Sequence, residues 1–267
     1  MPRATRYIVE GYLYHLTHRC ADGEFFLRFA RERDAYREWL RIGVKRYGVS
    51  VLGYTVTSNH THVVCDVQDR LAVADMMKLA AGTVAQMRNL RKGHEGSVWE
   101  HPYQCTRIQD GQHLLNCLRY VDLNMVRAGR VRHPSEWRWC GYDELTGQRK
   151  RYRIVDQARL LVLTGFSCMR DFATFYTQSI SDRLATRSLP REPCWTEAVA
   201  IGSDAFLDAA ERTTPYRQRA CNDTRFSVRP GTKPGPSVSR VFLAALIRGE
   251  NWPAKLNLQG AETFNAL

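Results

Sequence analysis

The hydrophobic and polar positions of the first 70 residues follow two different periods. Residues 11–19 (GYLYHLTHR) alternate as a strand does, and residues 32–47 carry apolar or aromatic side chains at helical spacing. Two β-branched segments follow at residues 51–57 and 60–67, and the polar pair between them has turn chemistry. The pattern therefore predicts a strand, a helix and then a two-stranded hairpin.

Asp69 begins a second helical run, which fades before the charged, glycine-containing residues 88–96. Its predicted apolar face carries Leu71, Ala74, Met77 and Ala81. Residues 103–108 then read as a fourth strand. The order strand, helix, strand, strand, helix, strand is typical of the split βαβ arrangement. We therefore expect an α+β fold of the ferredoxin-like or RRM-like type, with a four-stranded antiparallel sheet, two helices on one face and the other face free.

The next helix carries two stripes of different chemistry. Within residues 110–129, Asp110 is a good N-cap and Gly129 a good stop, which predicts a helix of about 18 residues. The apolar stripe, expected to pack on the sheet, consists of Leu114, Leu118, Val121 and Met125. The polar stripe, at steps of three and four residues, consists of His113, Asn116, Tyr120, Asn124 and Arg127. Tyr120 and Asn124 lie one turn apart and can share a site.

Beyond residue 150 the periodicity is weaker and mainly helical. A basic junction, GQRKRYR, precedes this part, and residues 229–237 (RPGTKPGPS) read as a flexible linker. We therefore divide the chain into an α+β domain at residues 1–149 and a helical C-terminal extension at residues 150–267, with the proline- and glycine-rich linker near residues 230–237. The arginines of the extension are candidates for contacts with DNA phosphates, and a solvated basic surface is equally compatible.

Composition narrows the class of partner. Of 267 residues, 39 are Lys or Arg and 27 are Asp or Glu, which gives a net charge of +12 and a pI near 9.5. Such a charge favours a polyanionic partner, although a generically basic soluble protein stays possible. No apolar run approaches the roughly 18 residues of a membrane span, so we expect a cytoplasmic protein without a membrane partner. Eight widely spaced cysteines without a CxxC pair indicate reduced structural thiols.

The segment SNHTHVV, residues 58–64, suggests a metal site. Side chains alternate along a strand, so His60 and His62 must project from the same face. Two imidazoles are an incomplete site, and the amide oxygen of Asn124 could complete it for Mg²⁺ or Mn²⁺ while leaving positions open for phosphate and water. Tyr120 would then lie beside a bound phosphate as a candidate nucleophile. A free tyrosine has a pKa of about 10, so its phenol needs help to react near neutrality.

These residues resemble the HUH single-strand endonucleases, and among them the tyrosine transposases associated with repetitive extragenic palindromes (REPs). SNHTHVV resembles the family motif PNHxHLL, and YVDLNMVRAG resembles YxxLNPVRAG. The opening PRATRYIVEGYLYHLTHR and the segment WRWCGYDELTG extend the resemblance over residues 2–147. Two positions depart from the family pattern, since Thr61 replaces a bulky apolar residue and Met125 replaces a proline, from which we expect a slightly longer helix.

The resemblance implies a function and a site. His60, His62 and Asn124 would hold Mg²⁺ or Mn²⁺, and Tyr120 would be the nucleophile. Family members cut single-stranded DNA next to a hairpin, form a 5′-phosphotyrosyl intermediate and release a 3′-hydroxyl. The implied partner is single-stranded DNA with REP-like hairpins, bound by a monomer or a homodimer.

Several further residues are predicted DNA contacts. They are Arg127, Arg3, Arg6, Trp99 and Arg107. Trp99 belongs to an aromatic set with Tyr103, Trp137 and Trp139 that could stack bases, and we expect at least two of these four to be packing residues. Two other functions stay open at this stage. A non-catalytic single-strand binder would ignore both EDTA and Tyr120→Phe, and a metal nuclease that uses water would cut without a covalent adduct.

Overall fold

The computed structural model describes residues 8–100, 102–186 and 188–214. The predicted DNA contacts Arg3 and Arg6 and the predicted linker at residues 230–237 lie outside the described residues. The strands of the first half match the sequence pattern. They are β1 (Tyr12–Arg19), β2 (Ser50–Val56), β3 (His60–Val67) and β4 (Gln104–Ile108). These four strands pair antiparallel in the order β2-β3-β1-β4, which confirms the predicted arrangement.

The sheet has a fifth strand that the sequence did not predict. β5 (Ala200–Ile201) pairs parallel to β4, so the sheet is mixed and five-stranded rather than four-stranded and antiparallel. The free edge of β4 supplies the donors, because Arg107 N donates to Val199 O at 2.9 Å and Gln109 N donates to Ile201 O at 3.0 Å. A two-residue strand has no periodicity of its own, and its pairing satisfies an edge that would otherwise be open.

Two long helices cover one face of the sheet. α1 (Ala30–Tyr47) and α2 (Arg70–Lys92) pack against each other, and the hydroxyl of Thr61 in β3 donates to Tyr36 of α1 at 3.2 Å. Asp69 caps α2, since its carboxylate accepts from the backbone amide of Leu71 at 2.7 Å. The predicted apolar face of α2 was wrong at Leu71, which is 66% exposed. The buried residues of α2 are Val73, Met76, Met77, Ala80, Ala81 and Val84.

The opposite face is not free, contrary to the sequence expectation. α3 (Gln112–Asp122) lies directly on β2, because a Cβ at Gly53 would meet the side chain of Leu118 at 2.5 Å. The expected continuous helix is interrupted at Leu123 (φ −77°, ψ 0°), and α4 (Asn124–Arg127) follows it. Met125 therefore does not lengthen one helix. The N-cap position is Gly111 rather than Asp110.

The described part of the extension packs on the first 149 residues. α5 (Tyr142–Leu145) lies just before the extension, and the helices of the extension are α6 (Gln157–Thr164), α7 (Met169–Ala185), α8 (Cys194–Glu197) and α9 (Asp204–Thr213). Arg159 Nε donates to the carboxylate of Asp66 at 2.6 Å, and the hydroxyl of Tyr176 donates to Asp122 at 2.7 Å. These contacts fix α6 against β3 and α7 against α3. The division at residue 149 stays a prediction.

Two expectations from composition, about membrane spans and about cysteines, can be compared with the described residues. Within residues 8–100, 102–186 and 188–214, no helix is both long and apolar enough to cross a membrane. The seven cysteines in those ranges are all free thiols. Burial raises the pKa of Cys65, Cys117 and Cys140, which is the behaviour of structural thiols rather than reactive ones.

The contact between Gly53 and Leu118 gives a test of how α3 is held. Leu118 is only 1% exposed and has little room to move, so we expect Gly53→Ala to lower the free energy of unfolding by about 1–3 kcal/mol. Gly82, within α2, has open space at its Cβ position, and Gly82→Ala should raise that free energy by about 0.5–1 kcal/mol. Chemical denaturation measures both. Equal effects of the two substitutions would contradict the close packing of α3 on β2.

Candidate active site

β3 presents the two predicted histidines on one face. The ring centroids of His60 and His62 are 4.8 Å apart and the rings are perpendicular, while Thr61 between them points to α1. β3 is paired on both sides, to β1 and β2, so its residues cannot slip by one position without breaking both ladders. The predicted same-face pair is confirmed.

The turn before β3 fixes the orientation of His60. Its Nδ1 lies 2.7 Å from Asn59 Oδ1 and 3.0 Å from Thr57 Oγ1. The Thr57 hydroxyl gives its own proton to the carbonyl of His60 at 2.8 Å, so both partners of Nδ1 act as acceptors. A neutral His60 therefore carries its proton on Nδ1 and keeps a lone pair on Nε2.

His62 is held between β1 and α4. Its Nδ1 lies 2.8 Å from Nε2 of His15 and 3.3 Å from the hydroxyl of Thr17, and its Nε2 lies 3.0 Å from Nδ2 of Asn124. The structure thus brings His60, His62 and Asn124 together. Sequence reasoning missed His15 and Thr17. Their spacing of two residues in a strand was a usable signal, because it places both on one face.

Tyr120 of α3 lies over the same group. Its ring centroid is 6.0 Å from that of His62 and 6.1 Å from that of His15. The side chain is 6% exposed, and its ring also lies 5.9 Å from that of Trp195, which belongs to α8 in the extension. Tyr120 is therefore next to the histidines, as the sequence predicted, and it is covered by a residue that the sequence did not connect with the site.

Arg127 adds a positive charge beside the phenol. Its guanidinium carbon lies 4.5 Å from the ring centroid of Tyr120. Nε and Nη1 of Arg127 are buried, and neither has a hydrogen-bond partner among the described residues. Buried N–H groups without an acceptor are costly, and an anion bound at this point would supply the missing acceptors.

Burial sets the protonation states of the site. It lowers the pKa of His15 to about 4 and that of His60 to about 3, with nearby Arg19 also lowering the latter. The pKa of His62 is well below its ordinary value because of burial and the neighbouring His60. Burial raises the pKa of Tyr120, and the positive charge of Arg127 opposes that rise. Near neutrality the imidazoles are therefore neutral and the phenol is protonated.

The donor set fits a divalent cation. Both histidines are anchored through Nδ1, which leaves Nε2 of each available as a ligand, and neutral imidazole is the form that binds metals. Asn124 can turn its amide to present Oδ1, an oxygen ligand that Mg²⁺ and Mn²⁺ accept. Among the described residues there is no cluster of three or more His, Cys, Asp or Glu that could hold a metal.

Comparison with known proteins gives one family match. The family model described as "Transposase IS200 like" matches residues 8–124, a span that contains His60, His62, Tyr120 and Asn124. Residues 8–124, which are less than half of the chain, are therefore similar to IS200-like transposases. A search of curated proteins finds no match.

Solved structures similar to this chain include two of low identity. A REP-associated tyrosine transposase bound to a REP hairpin is 14% identical, with 58% of this chain and 94% of that chain covered and a TM-score of 0.45. A protein from Deinococcus radiodurans R1, described as a candidate transposase, is also 14% identical, with 49% and 98% covered and a TM-score of 0.30.

The structure places the remaining predicted DNA contacts away from this site. Trp99 stacks on His18 at 4.2 Å and donates its indole N–H to the carbonyl of Ala81, which is a packing role. Arg107 is 3% exposed and donates to Tyr14 and Thr213, so in this structure its guanidinium faces the interior rather than solvent. Trp137 likewise donates into the fold, to Val56 O at 3.0 Å.

Because two N–H groups of Arg127 lack acceptors, we expect the folded protein to become more stable when this guanidinium is removed. Without DNA, Arg127→Met should raise the free energy of unfolding by about 1 kcal/mol, because an unsatisfied buried polar group costs about 1–3 kcal/mol. Arg170→Met removes the same charge from a side chain that is 89% exposed and should change stability by less than about 0.5 kcal/mol. Thermal and denaturant unfolding measure both. A clear loss of stability in Arg127→Met would show that the contact with the Tyr120 ring outweighs the cost of the two unpaired N–H groups.

Proposed function

We propose that this protein is a metal-dependent single-stranded DNA endonuclease and strand transferase that acts at hairpin repeats through a 5′-phosphotyrosine intermediate on Tyr120. One observation carries the proposal. The phenol of Tyr120, the unpaired guanidinium of Arg127 and the Nε2 side of His62 converge on one face of β3. A nucleophile, a phosphate-binding cation and a ligand for a metal are the components that phosphoryl transfer requires.

The metal ligands in this proposal are Nε2 of His60, Nε2 of His62 and the amide oxygen of Asn124. A bound Mg²⁺ or Mn²⁺ would supply positive charge to an oxygen of the scissile phosphate and so favour attack at phosphorus. The anchoring of both histidines through Nδ1 supports this assignment, because it preorganises the ligands before the ion arrives.

The chemical step exchanges one phosphate ester for another. The oxygen of Tyr120 attacks phosphorus, its O–P bond forms and the bond from phosphorus to the 3′ oxygen breaks. The phenolic proton is released and the departing oxygen takes up a proton to become a 3′-hydroxyl, so no redox change or nucleotide is needed. Attack by a 3′-hydroxyl on the phosphotyrosine reverses the step and joins strands.

Arg127 has two roles in this proposal. Its free N–H groups would bind the phosphate, and its charge lowers the pKa of Tyr120 against the effect of burial. Arg127→Met should therefore reduce the rate of cutting by about 10- to 100-fold, as expected for the loss of a hydrogen bond to a charged group. Initial rates on a labelled oligonucleotide measure this effect, with Arg170→Met as the control for net charge.

A surface next to the His60 turn supports single-stranded DNA as the substrate. Phe25 is 53% exposed and Phe29 is 41% exposed, and the guanidinium of Arg28 lies 4.5 Å from the Phe29 ring centroid. The segment between these phenylalanines joins the site, since Leu27 N donates to Ser58 O at 2.9 Å. Exposed aromatic rings flanked by arginine suit unpaired bases.

This surface yields a binding prediction. Each base stacked on an aromatic ring contributes about 1–3 kcal/mol, so Phe25→Ala combined with Phe29→Ala should weaken binding of an unstructured oligonucleotide about tenfold or more. Leu90→Ala, at a residue 85% exposed on α2, is the control and should bind normally. Fluorescence anisotropy measures the affinities. Normal binding by the double variant would move the single-strand contact away from this surface.

The function itself is tested by trapping the covalent adduct. The protein is incubated with Mn²⁺ and labelled oligonucleotides that carry a REP-like hairpin, and the mixture is separated by denaturing electrophoresis. A protein-linked label is expected with the wild type and with Tyr152→Phe, whose side chain is exposed, and is expected to disappear in Tyr120→Phe and with EDTA.

Two other outcomes would replace the proposal. DNA binding without cutting, insensitive to EDTA and to Tyr120→Phe, would indicate a non-catalytic single-strand binder. Cutting that survives Tyr120→Phe and leaves no adduct would indicate a metal nuclease that uses water.

A further inference from the structure

We propose that His15 is a positioning residue, which holds His62 in the tautomer that is protonated on Nδ1 and so keeps the lone pair of His62 Nε2 directed toward Asn124. The inference rests on the proposed function, because it assigns the role of His15 to the same metal site. His15 belongs to β1, outside the two motifs that carry the histidine pair and the tyrosine.

Four groups form a hydrogen-bonded series through the site. The carbonyl of Trp195 lies 2.7 Å from Nδ1 of His15. Nε2 of His15 lies 2.8 Å from Nδ1 of His62, and Nε2 of His62 lies 3.0 Å from Nδ2 of Asn124. His15 and His62 are each 1% exposed, so water does not compete for these bonds.

The backbone carbonyl fixes the direction of the whole series. A carbonyl oxygen can only accept, so Nδ1 of His15 carries a proton. A neutral imidazole has one N–H, which leaves Nε2 of His15 as an acceptor and requires Nδ1 of His62 to donate. Nε2 of His62 is then the unprotonated nitrogen, in agreement with the amide donor of Asn124 that faces it.

Thr17 cannot replace His15 in this role. Its hydroxyl lies 3.3 Å from Nδ1 of His62 and can either donate or accept, so it does not select a tautomer. His15 has only one hydrogen-bonding state compatible with the Trp195 carbonyl. Groups of this kind that orient a metal-binding histidine typically change metal affinity by about 10–100-fold when they are removed.

A purely structural role is the competing explanation, because the rings of His15 and His62 are stacked with centroids 4.9 Å apart. Three substitutions separate the two roles. His15→Gln can place its Oε1 acceptor near the position of Nε2, His15→Asn reaches only the position of Nδ1, where its Nδ2 can donate to the Trp195 carbonyl, and His15→Phe keeps the ring without either group. A packing role predicts that Phe is the best replacement, and a positioning role predicts that Gln is.

The experiment measures Mn²⁺ binding to the full chain without DNA, by electron paramagnetic resonance titration, and the His62 tautomer by ¹⁵N NMR of the metal-free protein. We expect a protonated Nδ1 on His62 in the wild type. We expect His15→Phe and His15→Asn to weaken Mn²⁺ binding at least tenfold, and His15→Gln to stay within about threefold of the wild type. His62→Asn assigns the His62 resonances.

Several results would overturn the inference. A wild-type His62 protonated on Nε2 would do so without any variant, even if His15→Phe fails to fold. Wild-type affinity for Mn²⁺ in His15→Phe would remove the role of His15 and leave the proposed function intact. A wild type that binds no Mn²⁺ would remove the metal site and the role of His15 together, whereas a wild type that binds Mn²⁺ but forms no DNA adduct would affect the proposed function alone.

Discussion

The site depends on the alternation of side chains along one central strand. β3 sends Thr61 to the hydroxyl of Tyr36 on one side and sends His60 and His62 to the other. Pairing on both edges fixes this assignment, because His62 lies opposite Thr17 in β1 and opposite Thr55 in β2. A shift by one residue would exchange the two faces and move the imidazoles into the packing layer of α1.

The parts of the site that could be predicted are those with a local signal. The bounds of β3 follow from its β-branched sequence, and the histidine pair follows from strand geometry. Tyr120 and Asn124 follow from helical spacing, even though the helix is interrupted between them at Leu123. The interruption leaves both side chains on the histidine side of the sheet, so their predicted position beside the histidines was correct, although the predicted continuous helix was wrong.

The features that could not be predicted depend on contacts between residues that are far apart in the sequence. β5 has only two residues, and its pairing with β4 is specified by an open strand edge rather than by its own sequence. His15 was read as an ordinary strand residue, because its importance comes from a partner 47 positions away and a carbonyl 180 positions away. The prediction that Leu71 of α2 is buried was a smaller error. Helical spacing alone does not say which of two neighbouring stripes of α2 faces the sheet.

The carbonyl of Trp195 has a consequence for the order in which the molecule is completed during synthesis. Trp195 follows His15 by 180 residues in the chain. Ribosomes add roughly 5–20 residues per second, and N-terminal parts of a chain fold first. The strands and the helix that carry the histidines and the tyrosine are therefore translated several seconds before the carbonyl group that accepts the hydrogen bond of His15. The nascent chain therefore contains His15, His62 and Asn124 before it contains the carbonyl oxygen of Trp195. That oxygen fixes the direction of the hydrogen bonds that connect the three side chains.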